Sequence, residues 1–270
     1  MSKVCLSKCL FGRSAISARL IAAILATGLY AALLSNEAIA DDAVDDLSSQ
    51  ATDPTASLMS FNFIGAYTGS FHGPSNGEPD HALDLTFRPV IPFTAFGKPN
   101  ILRMTLPYHT NGRGDKGLDS VSLFDLVILN RSWGRLAVGG VATLANESAA
   151  DTFVIGPAVG AIWALSRKTK LGLFNQNVFG GDTAVSQFQP IAAYQLGNGW
   201  SVSAGDLQFT YDWKRSKWIN VPIGFQVGKV TRIGNQPVRW AINPQYNLKN
   251  DDGLAKWKLV FTFTLLVPTG

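Results

Sequence analysis

The chain has 270 residues, 46% of them hydrophobic and 16% charged, with a formal net charge of +4. Four of its 23 Lys and Arg and one of its 19 Asp and Glu fall before residue 41, which leaves 19 against 18 and no basic surface for nucleic acid. Both cysteines, Cys5 and Cys9, lie in that same segment, so no thiol remains for a metal site or a disulfide framework.

Residues 1–40 have the layout of an export signal. Lys3, Lys8, Arg13 and Arg19 form a cationic lead, LIAAILATGLYAALL an apolar run, and Ala38-Ile39-Ala40 a small-residue cleavage site. The alternative, a retained anchor, is disfavoured because the run is shorter than the roughly 20 residues a spanning helix needs. Residues 41–56, DDAVDDLSSQATDPTA, are acidic and without evident periodicity, and are expected to form a flexible leader. Beyond them no run is long and apolar enough for a spanning helix, so a membrane form would have to be a closed sheet over residues 57–270.

From residue 57 onward, strand-like segments follow one another, near 57–68, 82–91, 99–109, 118–130, 134–144, 153–165, 170–179, 187–196, 199–210, 217–230, 237–247 and 256–267. Most approach the nine to eleven residues of a tilted transmembrane strand, and an even count returns both termini to one side. Links after odd segments are mostly long and polar (SFHGPSNGEPDH, NGRGDKG, GGDTAVS), and those after even ones mostly tight (NRSWG, SRKTK, LGNG). That asymmetry suits a barrel whose short turns face the periplasm.

Period-two patterning supports the strands. Ile219, Val221, Ile223, Phe225 and Val227 alternate with Asn220, Pro222, Gly224 and Gln226, while Val238, Trp240, Ile242 and Tyr246 contrast with Arg239, Ala241, Asn243 and Gln245. Two segments break the pattern: LDSVSLFDLVILN is apolar on both faces, and LGLFNQNVF puts Asn175 and Asn177 on the face of Leu171 and Leu173. The polar faces favour amides, Ser and Gly with a few arginines, which fits a hydrated interior better than an open surface. Trp133, Trp200, Trp213, Trp218, Trp240 and Trp257 fall at or near segment ends, where such rings settle at the lipid headgroups. The expected fold is therefore all-β: a transmembrane antiparallel up-and-down barrel of about twelve strands, following a cleaved signal peptide. A soluble β-sandwich with the same apolar faces paired in a dry core is the competing architecture.

The run Asp212-Trp213, Trp218, Val221-Pro222-Ile223-Gly224, Gly228-Lys229-Val230, Ile233-Gly234, Gln236-Pro237 and Tyr246-Asn247 resembles the outer-membrane transporters named for the meta-pathway of phenol degradation. FRPVIPF, GPAVGAIWAL and QFQPIAAYQL extend the likeness. The resemblance implies a barrel, related to a functional-amyloid export channel, that passes small or hydrophobic molecules. It supplies no catalytic residues. The chain departs from the pattern in ending Leu266-Val267-Pro268-Thr269-Gly270 rather than on an aromatic residue, and in lacking a heptad-rich extension.

Tests for chemistry give little. His109 in HTNGRG is similar to the His-x-Ser-Asn-Gly-Arg pattern of the outer-membrane phospholipase, but its hydroxyl neighbour, Thr110, is adjacent and points to the other face of a strand. No His or Cys spacing suggests a metal, Asp115, Asp119, Asp251 and Asp252 read as solvated loop residues, and no cofactor is expected. The candidate site is a lumen lined by Asp84, Arg88, Arg103, Arg135, Asn220, Gln226, Arg239, Asn243 and Gln245. The four arginines share polar-face parity and should gather toward the periplasmic mouth, where Asp41, Asp42, Asp45 and Asp46 could fold back onto them. The expected function is a channel of the cell outer membrane for small, hydrophobic or aromatic molecules, not an enzyme, with lipid and permeant as partners and self-association left open. An outer-membrane lipid hydrolase and a soluble periplasmic binding protein are the alternatives.

Overall fold

The computed structural model describes residues 41–73, 80–111, 117–118, 120–145 and 153–268. The expected export signal with Cys5 and Cys9, and the loop residues Asp115 and Asp119, lie outside the described residues. The described chain falls into two compact units, one spanning residues 41–231 and 237–268 and the other represented by the turn Arg232–Gln236, whose Gly234 adopts φ 61°.

The larger unit is a ring of twelve antiparallel strands. They are β1 (Leu58–Phe71), β2 (Ala82–Ala95), β3 (Lys98–Asn111), β4 (Ser120–Arg131, preceded by the short piece Gly117–Leu118), β5 (Gly134–Ala145) and β6 (Phe153–Ala164). Then come β7 (Thr169–Gly180), β8 (Thr183–Gly197), β9 (Trp200–Ser203 and Phe209–Asp212), β10 (Lys217–Asn220, Pro222–Gly224 and Gln226–Ile233), β11 (Gln236–Asn247) and β12 (Ala255–Pro268). Strand β12 pairs with β1, from Leu58 opposite Pro268 to Phe71 opposite Ala255, so the sheet closes and no long edge is left for other chains to template on.

Turn chemistry fixes the register. The β2–β3 link is only Phe96-Gly97, both at positive φ (50° and 69°), and the β8–β9 link is Asn198-Gly199 (51° and 75°). Both have the φ pattern of a primed hairpin turn, whose twist matches that of the strands. The GGDTAVS link, expected to be long, is instead the two-residue turn Gly181-Asp182, because Thr183, Ala184 and Val185 continue the ladder opposite Gly180, Phe179 and Val178.

The apolar faces look outward. Along β6, Phe153, Ile155, Val159 and Trp163 are exposed while Val154, Ala158 and Ile162 are buried inside. All seven tryptophans are exposed on the outer wall, with Trp133, Trp163 and Trp200 near the short-turn end and Trp213, Trp218 and Trp257 near the other. The paired dry faces of a sandwich are absent from the described residues, and that alternative is set aside. A charged residue interrupts the greasy wall: Asp125, midway along β4, is exposed among Leu123, Val127 and Leu129.

The two segments that break the alternation now have causes. In β4 the inward residues Phe124, Leu126 and Ile128 belong to an interior apolar cluster with Ile101, Ile162 and Phe174, so both faces of that strand must be apolar. In β7, Asn175 and Asn177 do share the outer face; they bond each other at 2.7 Å, and Asn177 accepts from Ser186, itself covered by the Trp213 ring through a 2.8 Å Nε1 hydrogen bond.

Val159 lies near the middle of β6 on the outer wall. Val159→Arg should destabilise the barrel in lipid vesicles by about 2–4 kcal/mol in denaturant titration, the range for a cation at the bilayer midplane. An unchanged midpoint would mean that this face does not meet lipid.

Candidate functional site

The expected flexible leader is instead an α-helix, α1 (Asp41–Ala51), followed by a loop that lines the barrel interior. Val44, Leu47 and Ala51 repeat at helical spacing and pack against Leu58 of β1, Val230 of β10 and Leu266 of β12. Asp53-Pro54 follows the end of α1, since a residue before proline is steered out of helical geometry.

Polar contacts tie the segment to the wall. Ser48 Oγ donates to Gln195 Oε1 at 2.8 Å, Gln195 Nε2 donates to Thr52 Oγ1 at 3.1 Å, and the Gly199 amide donates to Asp45 Oδ1 at 2.6 Å. Lys170 Nζ donates to the Ser49 carbonyl at 2.8 Å, and Arg135 to the Thr55 carbonyl at 3.1 Å. At the centre is Asp53, whose side chain has no exposure. Its Oδ1 accepts from the Thr55 amide and hydroxyl, while Oδ2 meets both Arg135 and, at 3.0 Å, Lys170. Gln195, Gly199, Arg135 and Lys170 all lie next to short turns, so the segment enters from that end.

Above the segment lies a cavity of about 160 Å³. Its lining joins Gln50–Pro54 to the polar Arg88, Arg103, Asp206, Gln226 and Arg239 and to the apolar Ile64, Val90, Ile101, Phe124 and Ile191. Arg88 is paired with Asp206 at 2.6 Å. Arg239, 5% exposed, donates to Gln226 Oε1 at 2.8 Å. The Arg239 guanidinium runs beside Gly228, where a Cβ would come within 2.5 Å of Nη2, so a side chain there would require the guanidinium to move. The Arg103 guanidinium stacks on the Phe124 ring at 4.4 Å. The buried Nε atoms of all three arginines have no hydrogen-bond partner among the described residues.

Asp206 reaches this group because β9 leaves the ladder at residues 204–208, and β10 is interrupted at Val221 and Phe225. Side-chain amides replace the missing ladder bonds. Asn220 Nδ2 donates to the Gln208 carbonyl (2.7 Å), Asn243 Nδ2 to the Phe225 carbonyl (2.7 Å), and Asn247 Oδ1 accepts from the Val221 amide (3.0 Å). Gly205, at φ 67°, lies against the Asn243 side chain.

The structure thus brings Arg88, Arg103, Gln226 and Arg239 together, with Asn243 alongside. Arg135 is not with them; it is engaged by Asp53 nearer the mouth. Asn220 and Gln245 belong to the amide network, Gln245 Nε2 donating to Asn243 Oδ1 at 2.6 Å. Asp84 lies toward the opposite end, 2.6 Å from His109 Nδ1. The Thr110 hydroxyl donates to the Leu83 carbonyl instead of facing that histidine. Of the leader acids, Asp45 bonds backbone rather than arginine, and the residue that meets the cations is Asp53. Sequence reasoning missed Asp53, Lys170, Gln195 and Asp206. The spacing of Val44, Leu47 and Ala51 was the available sign of the helix, whereas nothing local marks Asp206.

No family model and no curated protein matches the chain. Among solved structures it is similar to an outer-membrane channel from Pseudomonas putida F1, at 10% identity and TM-score 0.55 over 78% of this chain and 96% of that one. It is also similar to the NanC porin (10% identity, TM-score 0.50, 77% of this chain and 100% of that one) and to the KdgM porin in complex with disordered oligogalacturonate (7%, 0.48, 78% and 99%). At these identities the likeness is one of fold, an outer-membrane-type barrel.

Because Asp53 is fully buried between two cations, Asp53→Ala should loosen the segment by about 3 kcal/mol, the low end for breaking a buried pair, since Arg135 keeps 28% exposure. Hydrogen exchange should speed up over residues 44–55 and stay unchanged in β1–β8. Asp46→Ala, at an exposed position, should leave exchange as it is.

Proposed function

We propose that this chain is a channel of the outer membrane that passes small molecules, and that its N-terminal segment keeps it narrow in the form seen here. The observation that carries the reading is the closed barrel with a greasy outer wall and a charged, partly filled interior entered by α1. Fold-level likeness to outer-membrane channels supports it. The likeness of residues 212–247 to the meta-pathway transporters favours hydrophobic or aromatic permeants, and the apolar arc of the lumen suits them.

The interior charges give the channel a sign. Around the segment and cavity, Arg88, Arg103, Arg135, Arg239 and Lys170 face Asp53 and Asp206. Each carboxylate offsets one cation, and the excess favours anions, more so at low salt. The Thr110 hydroxyl donates to the Leu83 carbonyl, and this reading gives the His109–Asp84 pair no catalytic role.

Planar-bilayer recording tests it. The full chain should give small conductance steps with an anion-selective reversal potential, and deletion of residues 41–56 should raise the conductance several-fold while heat-modifiable gel mobility persists. A barrel that folds and yet passes no current in either form would refute the channel. Lipid-release assays should show no difference between the protein and His109→Ala.

A further inference from the structure

The cavity above Asp53 has the makings of a ligand site rather than a mere constriction. It is amphipathic: guanidinium groups and the side chains of Ile101, Phe124 and Ile191 line it together, and Arg103 lies directly against Phe124. Its cations exceed the carboxylates available to them. Asp206 is committed to Arg88 at 2.6 Å and to Gln189 at 3.3 Å, and Asp53 to Arg135 and Lys170. Arg103 lies against an aromatic face and Arg239 donates to a neutral amide, so among the described residues neither has a carboxylate in direct contact, although both share the field of Asp206. Each keeps a buried Nε without a hydrogen-bond partner among the described residues. A guanidinium binds a carboxylate through paired N–H groups, and stacking on Phe124 fixes the plane in which Arg103 presents them.

We infer that the cavity binds a small amphipathic carboxylate, its anionic head between Arg103 and Arg239 and its apolar body against Phe124, Ile101 and Ile191. The volume sets the size. At about 160 Å³ the space is close to that of an engineered protein cavity that accepts benzene, so the apolar part is no larger than one ring. Asp206 then acts as the resident competitor: by neutralising Arg88 it lowers the field felt by an incoming anion. The inference rests on the channel reading only in taking the lumen as accessible from water.

Benzoate is the probe, with benzyl alcohol as its neutral counterpart and sulfate as a strongly charged anion without an apolar body. Calorimetry on the full chain in a non-ionic detergent should show benzoate binding at least tenfold more tightly than either. Arg103→Gln should weaken benzoate at least tenfold with benzyl alcohol unaffected, whereas Arg131→Gln, at the exposed end of β4, should change nothing. Asp206→Asn should tighten benzoate severalfold, a sign that a merely structural role for Asp206 would not produce. Equal affinities for benzoate and benzyl alcohol, or benzoate affinity insensitive to both Arg103→Gln and Asp206→Asn in variants that keep heat-modifiable mobility, would overturn the site. Sulfate binding as tightly as benzoate would also overturn it, by pointing to a simple anion trap. Binding is read without current, so a protein that binds but never conducts refutes the channel alone, and one that conducts without binding refutes the site alone.

Discussion

In a bilayer core, no backbone N–H or C=O can turn to water, and this constraint organises the whole molecule. Closing β12 onto β1 satisfies it for most of the chain. It becomes most demanding, among the described residues, where β9 and β10 leave the ladder. There Asn220, Asn243 and Asn247 lend their amides to the Gln208 carbonyl, the Phe225 carbonyl and the Val221 amide. The amides on those strands are thus tied to the wall and are not simply wetting a pore. What the break gains is position, because the segment released from the ladder brings Asp206 to Arg88.

The interior is divided along its circumference. From β3 to β8 the inward residues are largely apolar and fill their side with packed side chains. Toward β1, β10 and β12, the greasy stripe of α1 covers Val230, Leu266 and Leu58. Narrowed from both sides, the lumen keeps its small cavity along the seam, and Arg103 on the Phe124 ring marks where charge meets the apolar arc. Such an interior suits a selective passage for small solutes better than an open aqueous pore, since a twelve-stranded ring leaves limited room once side chains enter it.

Much of this was legible in the sequence because a barrel wall writes itself in period two. The twelve segments fall within a few residues of the observed strands, and Ile223, Phe225, Trp240 and Ile242 face outward as their parity requires. Where the reading failed, non-local packing decided. The two-faced apolarity of β4 follows from partners on β3, β6 and β7, and the breaks in β9 and β10 depend on amides from other strands. Residues 41–56 looked unstructured because their stripe is short and their acids conspicuous. A helix of 11 residues is marginal alone and is held here by the wall. Arg135 shared parity with the other arginines, yet parity fixes only the face of a strand and says nothing of which interior group arrives there.

The N-terminal segment carries several acids, yet one does the latching, and the reason is geometric. Asp45 and Asp46 lie within α1, where a carboxylate is best used near the dipole or in solvent. Asp53 follows the helix, with Pro54 forbidding another turn, so its side chain can face the wall. The Thr55 amide and hydroxyl occupy one oxygen, and Arg135 with Lys170 the other. This is the dense hydrogen bonding that a buried charge requires if it is to stabilise rather than cost. Because both cations belong to the barrel, on β5 and β7, withdrawing the segment would strip them of their carboxylate and leave them facing the mouth. On the channel reading proposed above, withdrawal of the segment would leave a stronger positive field in the lumen, so that widening it and drawing in anions would follow from the same movement.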